Sequence, residues 1–546
     1  MQKRSRRRSM RLVAAMLALG LIAAACGDDG GGTGNATNTG GSSSGSAKSV
    51  TTTVVTDTPV KGGTVTIALF SEVKNLDPLK ATGSGGSDGN RLFPIYGALV
   101  TYDPVKAVSS PLMAESFKAT DAGFTKWTLK LKPNQKFSDG TAYDAAAIKA
   151  NWERAAAADS PCACKSIAQA IASMTLPDPL TVDLTLKSGN ATFDNLIARN
   201  ALNYIASPKA ITDKVDLVNK PVGAGPFRMD EWIPDGKMTL SRNPDWTASP
   251  GPYVDKLVYV IQSNEDQRVT GMTTGQFDGF YTATPSSVTT AQKDNKDATY
   301  ASVAVNLGQT FVFNTTKAPF DDIRVRKAVI MAIPRDVLAK DILLNSIPAD
   351  YFALKGSKDF SEASALPKYD AAGAQKLIDE YVKEKGPITF TMVVFQQTLD
   401  QARAKFIQTA LDQLKGIKAE LAVGASGDNV AKITSGKGDF QWTSWGFPTT
   451  DPNVGLYNAT HSGQPGLNPS NYNNATVDKA LEEARLLGDP AARAEKYKIV
   501  YEQLAKDLPF FPYTITTNGY VYKSNVKGGV VYEDGIPRVD LLWFKK

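Results

Sequence analysis

The chain has 546 residues, 42% of them hydrophobic, with 61 Lys and Arg against 55 Asp and Glu. That length and apolar content exclude a disordered chain or a small disulfide-stapled scaffold, and leave room for two or three domains with sizeable cores. The formal charge of +6 is matched by basic residues near the start, Lys3, Arg4, Arg6, Arg7, Arg8 and Arg11; elsewhere basic and acidic residues intermingle, which leaves no nucleic-acid footprint.

From Leu12 to Ala25 the chain is apolar and uncharged, and the small residues Ala23, Ala24 and Ala25 precede Cys26. A basic start, a short apolar run and small residues form the pattern of a secretory signal peptide. The run is too short to cross a hydrocarbon core, which takes about 20 helical residues, and no later stretch is longer. Cys26 after the small residues resembles a bacterial lipobox, whose Cys is diacylated and becomes the new N-terminus; the other reading is an ordinary cleavage site with an incidental Cys. From Gly27 to about Thr58 the chain is Gly, Ser, Thr, Asn and Asp with almost no apolar residue before Val50. Such a segment cannot bury enough surface to fold and behaves as a flexible tether. The expected location is extracytoplasmic, on a lipid anchor at the periplasmic side or cell surface, with general secretion or twin-arginine export left open.

The folded body begins with a strand, Val65, Ile67 and Leu69 alternating with Thr64, Thr66 and Ala68. It ends at the turn Asn75, Leu76, Asp77, Pro78. A second strand alternates Trp127, Leu129, Leu131 with polar residues, stops at Pro133 and Asn134, and is followed by the turn Ser138, Asp139, Gly140. Asp144 then caps a helix whose Ile148, Trp152 and Ala155 share one face. Cys162 and Cys164 follow. An oxidising compartment favours their pairing, while residues two apart reach the needed Cα spacing only in a strained loop, so a Cys162 to Cys164 disulfide stays open. Val182, Leu184 and Leu186 form another strand, and strand-like pieces lie around Phe227 and Leu240. The later half is richer in helices: Asp321 and Asp322 cap one with Val325, Ala328, Val329 and Ala332; Asp370 caps one with Leu377, Ile378 and Tyr381; Asp489 and Pro490 start one with Tyr497, Val500, Tyr501 and Leu504. Strands such as Ile388 to Val394 fall between them, and the alternation makes the body α/β.

Four blocks in this order resemble the family 5 extracellular solute-binding proteins of bacterial ABC importers, which include dipeptide-, oligopeptide- and nickel-binding members. They are Trp127 to Arg154 (WTLKLKPNQKFSDGTAYDAAAIKANWER), Pro221 to Trp246 (PVGAGPFRMDEWIPDGKMTLSRNPDW), Phe311 to Asp336 (FVFNTTKAPFDDIRVRKAVIMAIPRD) and Gly438 to Pro452 (GDFQWTSWGFPTTDP). The resemblance implies a bilobal, periplasmic-binding-protein-like α/β fold with mixed sheets. After a signal peptide (1–26) and tether (27–60), lobe I would comprise 61–308 and 518–546, with a subdomain at about 101–220, and lobe II 309–517. A two-segment hinge is expected near Val305 to Gln309 and Thr514 to Asn518. The implied function is capture of a small solute, peptide-like or other, in an interlobe cleft and delivery to ABC permease subunits. The alternative is a surface-anchored sensor or adhesin without a transporter. A monomer with no cofactor and no nucleic-acid partner is expected.

The residues offer little for catalysis. His461 is the only histidine, which removes most general-base, Ser-His-Asp and metal-cluster arrangements; its Gly-, Pro- and Asn-rich surroundings place it in a surface loop. No Cys and His set has zinc-ligand spacing, no phosphate-cradling glycine loop is present, and acidic pairs such as Glu482 with Glu483 fall on solvated helix faces. No metal site is expected.

For ligand contact, pockets need apolar walls with a few placed polar groups. The family's strand ends at the cleft mouth, which implicates the turn after the first strand, with Ser71, Glu72 and Asn75. From lobe II come Phe395 and Gln396 and the segment Trp445, Gly446, Phe447 to Asp451. Trp442 and Trp445 point opposite ways on a strand, and Trp445 is taken as the wall. Peptide-binding members place an Asp three residues before the Asp-Pro of the last block to pair with the peptide amino group; counting back from Asp451, that position is Pro448. The nearest equivalent of their carboxylate anchor is Gln396. A cleft lacking both ions would leave a peptide's charged ends unpaired, at several kcal/mol per ion.

Overall fold

The computed structural model describes residues 58–545 except 74, 82–87, 104–107, 344–345, 397, 426–427, 430–431, 434–440, 446–451, 465–466 and 534. The signal segment, Cys26 and most of the tether lie outside the described residues.

The strands that carry the architecture are, in chain order, β1 (Thr64–Leu69), β2 (Ala114–Ala119), β3 (Lys126–Leu131), β4 (Ile171–Asp178), β5 (Thr181–Leu186), β6 (Phe227–Ile233), β7 (Lys237–Arg242), β8 (Lys256–Ile261), β9 (Gly279–Thr282), β10 (Thr299–Phe313), β11 (Ile388–Phe395), β12 (Ile417–Gly424), β13 (Trp442–Trp445) and β14 (Phe510–Tyr522). Eleven strands among the described residues form one continuous mixed sheet in the order β12-β11-β13-β10-β14-β9-β1-β8-β7-β6, with Ile347–Pro348 beside β14. A separate antiparallel sheet, β2-β3-β5-β4, belongs to the N-terminal half.

Local sequence explains the elements. In β1, Val65, Ile67 and Leu69 enter one core and Ala68 another on the opposite face. The strand lies between two parallel neighbours, β8 and β9, where both faces are covered. Asp144 caps the helix Ala145–Ala156 by accepting from Ala147 N at 3.0 Å, and Ile148, Trp152 and Ala155 are buried. Asp370 accepts from Gly373 N at 2.8 Å, and Asp489 from Ala491 and Ala492 N, with Pro490 in the first turn. At the helix Ile323–Ala332 the cap is Asp322, which accepts from Arg324 N, while Asp321 stays exposed. Cys162 and Cys164 are both buried and are joined in the structure by a disulfide with Cα atoms 5.0 Å apart, inside the usual range.

Two large cores divide the molecule. One runs from Val65 to Tyr281 and resumes from Tyr520 to Leu542; the other runs from Leu307 to Tyr513. They are called lobe I and lobe II. A smaller cluster, with Met272, Phe277 and Phe280, covers the other face of the lobe I sheet. The chain passes between the lobes on β10 and β14, which pair antiparallel along their lengths. Their register shifts between Val305 and Gln309 and again between Gln309 and Thr310. Leu307, inside the first shift, has φ of 53°, a left-handed conformation costly for a side chain of that size. The irregularity lies where the chain enters the lobe II core, in the stretch that the sequence reading assigns to the hinge.

Candidate functional site

Strand direction builds the site. In lobe I, β1, β8 and β9 run parallel; Leu69 pairs with Ile261, and β9 runs from Gly279 opposite Tyr522 to Thr282 opposite Gly519, toward the middle of β14. In lobe II, β11 and β13 run parallel, and β13 runs from Trp442 opposite Phe313 to Trp445 opposite Thr310, toward the middle of β10. The C-terminal strand ends of both lobes therefore converge on the stretch where β10 and β14 cross. Ligands of open α/β sheets bind outside the carboxyl ends of strands, so this junction is the candidate cleft.

On the lobe I side, Ser71 follows β1. Arg91, 1% exposed, donates from Nη2 to the Ser71 carbonyl and from Nη1 to Asn90 Oδ1 at 2.8 Å, with Tyr259 beneath it at 5.9 Å. The Glu72 carboxylate is engaged by its own lobe: it accepts from Val73 N at 2.7 Å, Asp235 N at 2.8 Å and Trp232 Nε1 at 3.2 Å. Asn75 caps its own turn, accepting from Asp77 N at 2.9 Å. Both serve the lobe I scaffold. Beside the turn, Phe70 packs on Tyr281 at 4.7 Å, and the Tyr281 hydroxyl donates to Asn518 Oδ1 at 3.0 Å. Arg268 fastens the ends of β8 and β9 together by donating to the Tyr281, Gln262 and Ser263 carbonyls. Burial pulls the Arg91 and Arg268 guanidiniums below their ordinary pKa, opposed by Glu72 and Glu265.

On the lobe II side, Phe395 is half-buried against the core, and Gln396 is exposed, its carbonyl accepting from Gln401 Nε2 at 2.7 Å. The Tyr513 hydroxyl donates to Gln309 Oε1 at 2.7 Å. Arg403, on the helix Thr398–Leu411, lies over the Tyr513 ring at 5.2 Å and pairs with Asp400. Trp442 is fully buried among Phe311, Phe313, Phe320 and Phe390. Trp445 closes β13 at the junction, while Gly446, Phe447, Pro448 and Asp451 lie outside the described residues.

His461 is not in an exposed loop. It follows the helix Pro452–Thr460, is 8% exposed, stacks on Tyr457 at 4.4 Å and meets Glu482 at 3.2 Å. An aromatic one helical turn away and a neighbouring helix cover it, which its Gly- and Asn-rich flank does not reveal. Among the described residues no group of three or more His, Cys, Asp or Glu could hold a metal.

Phe70, Tyr281, Asn518, Gln309, Tyr513 and Arg403 gather on the two sides of this junction, and the sequence reading does not single them out. The usable signal was positional: Tyr281 sits near the end of a short strand, and Gln309 in the stretch assigned to the hinge. Arg91→Met, which frees the Ser71 carbonyl, is expected to weaken binding of the solute that co-purifies with the protein about tenfold, ~1.4 kcal/mol. Calorimetry with that solute checks it; an unchanged Kd would show that the Ser71 turn does not meet the ligand.

A family model described as bacterial extracellular solute-binding proteins, family 5 middle, matches residues 109–466. The chain is 26% identical over 480 residues to the glutathione-binding protein GsiB of Escherichia coli K12, covering 86% of this chain and 92% of that protein. Two solved structures share the fold. One is the binding protein AgaA of A. tumefaciens R10 in complex with agropinic acid, at 23% identity and TM-score 0.74 over 89% of this chain and 99% of that one. The other is DppA of Helicobacter pylori with the peptide STSA, at 22% and 0.75 over 89% and 99%. These relatives are solute-binding proteins, not enzymes.

Proposed function

The chain belongs to the bacterial extracellular solute-binding proteins of family 5, and from that premise we propose that it captures a small solute between its lobes, delivers it to the permease of an ABC importer, and is held at the membrane by a diacylated Cys26. The observation that carries the reading is the convergence of strand ends from two separately cored lobes on the irregular crossing of β10 and β14. Two lobes joined by two strands close about the joining segments, and the register shifts lie in those segments.

The named relatives bind glutathione, agropinic acid and a peptide, so the lining of the cleft, not the fold, sets the cargo. Here the two positions that would pair with a peptide's ends are Pro448 and Gln396, neither charged. The proposed cargo is a neutral or differently charged solute such as a modified peptide, a glycoside or an oligosaccharide. An ordinary peptide held by its backbone is second, with Asp451 as the substitute carboxylate. Native mass spectrometry of the purified protein should reveal a co-purified solute, and small-angle scattering a slightly smaller radius once it is bound. Calorimetry against di- to pentapeptide pools and a sugar panel then separates the classes. Tight peptide binding that N-terminal acetylation abolishes would overturn the assignment.

A further inference from the structure

Away from the two crossing strands, the lobes touch a second time. In lobe I the contact is the stretch Gly189 to Asn195 with Phe124; in lobe II it is Asn453 and the turn after the helix Ala475–Arg485. Ala191 N donates to the Arg485 carbonyl at 2.7 Å. Asn453 Nδ2 donates to Thr192 Oγ1, and the Thr192 hydroxyl in turn donates to Asn190 Oδ1 at 3.1 Å, which also accepts from Thr192 N at 3.0 Å. Asn190, Thr192 and Asn453 are each at least nine-tenths buried. The approach is close enough that a Cβ on Gly189 would come within 2.9 Å of Leu486 Cδ2 and 2.2 Å of the Gly123 carbonyl. Arg485 lies over Tyr457 at 4.3 Å, and Arg493 holds the turn by donating to the Leu487 and Gly488 carbonyls. A cavity of about 310 Å³ beside the contact is lined from both lobes, by Ser109, Thr192 and Asn195 on one side and Gly488 and Arg493 on the other.

None of these groups lies on β10 or β14, so the contact is a tie between the lobes separate from their covalent connections. Opening the lobes would break it and hand the same groups to water. We propose that this contact is a latch that biases the lobes toward the closed arrangement, with the buried Asn453 to Thr192 hydrogen bond at its centre. Because each group exchanges a protein partner for water on opening, the bias is modest. Loss of the buried Asn453 to Thr192 bond should shift the closed-to-open ratio about five- to tenfold. The proposal rests on the two-lobed reading but not on the identity of the cargo, and its test uses no ligand.

Spin labels on Ser173→Cys in lobe I and Lys376→Cys in lobe II, both exposed positions, report the interlobe distance in full-length protein stripped of solute by unfolding and refolding. Pulsed paramagnetic resonance is expected to show a short-distance population in the parent. Thr192→Val and Asn453→Ala should each move it to the longer distance by the stated factor. The double variant should add nothing to either, since both remove one bond, and Thr192→Ser should behave as the parent. Identical distributions in parent and variants, additive effects in the double variant, or an equal loss in Thr192→Ser would each overturn the latch. Should Thr192→Val not fold, Asn453→Ala against the parent reads the same bond.

Discussion

Trp442→Ala is expected to destabilise lobe II by about 3–5 kcal/mol, the usual cost of emptying a large aromatic site in a packed core. The ring is fully buried, with centroids of Phe311, Phe390, Phe313 and Phe320 at 5.4, 5.6, 5.7 and 6.2 Å. Four rigid rings held by β10, β11 and the segment before the helix Ile323–Ala332 have little freedom to collapse into the space. Its Nε1–H has no partner among the described residues, so Trp442 gives its lobe area and shape and no hydrogen bond. Trp442→Phe should therefore cost far less, about 1.5 kcal/mol or below, because it keeps most of the packing and removes an unsatisfied donor. Differential scanning calorimetry decides between the two. The Ala variant should show a transition split to lower temperature, since the loss falls on one of two cores and a single two-state transition need not survive. Equal melting of the Ala and Phe variants would refute the packing account.

Cys26→Ser is expected to move the protein from the membrane fraction to the soluble fraction almost completely. The expectation follows from the signal-like N-terminus and the proposed diacyl anchor. Each buried methylene contributes roughly 0.8 kcal/mol, one acyl chain holds a protein only reversibly, and two hold it firmly. No described helix is long and apolar enough to cross a membrane in their place. Fractionation and detergent partitioning of the parent and the Ser variant give the answer. Retention of the variant at the parent's level would place the anchor elsewhere.

How much was legible followed the range of the interactions. The alternation of Val65, Ile67 and Leu69, the cap of Asp144 on Ala147 N and the cap of Asp370 on Gly373 N involve residues a few positions apart, and each was readable as it stands. The surroundings of Glu72 and His461 are not legible in the chain, for the opposite reason. A carboxylate in a cleft-side turn reads as a ligand contact until Trp232 and Asp235, some 160 residues later, occupy it. A histidine among glycines and asparagines reads as exposed until Tyr457 and Glu482 cover it. Tyr281 and Asn518 are separated by 237 positions, and no local pattern announces that one donates to the other.

The α/β class, the family likeness, the caps and strand faces, and the poverty of catalytic groups are written in the chain, because periodicity, turn chemistry and residue inventory need no long-range partner. Tertiary structure decided which polar side chains were already committed to the scaffold, that Trp442 belongs to a core, and that the lobes meet again at Thr192 and Asn453. Those outcomes depend on burial and on partners supplied by distant segments, and a side chain's availability to a ligand is what remains after such partners have been assigned.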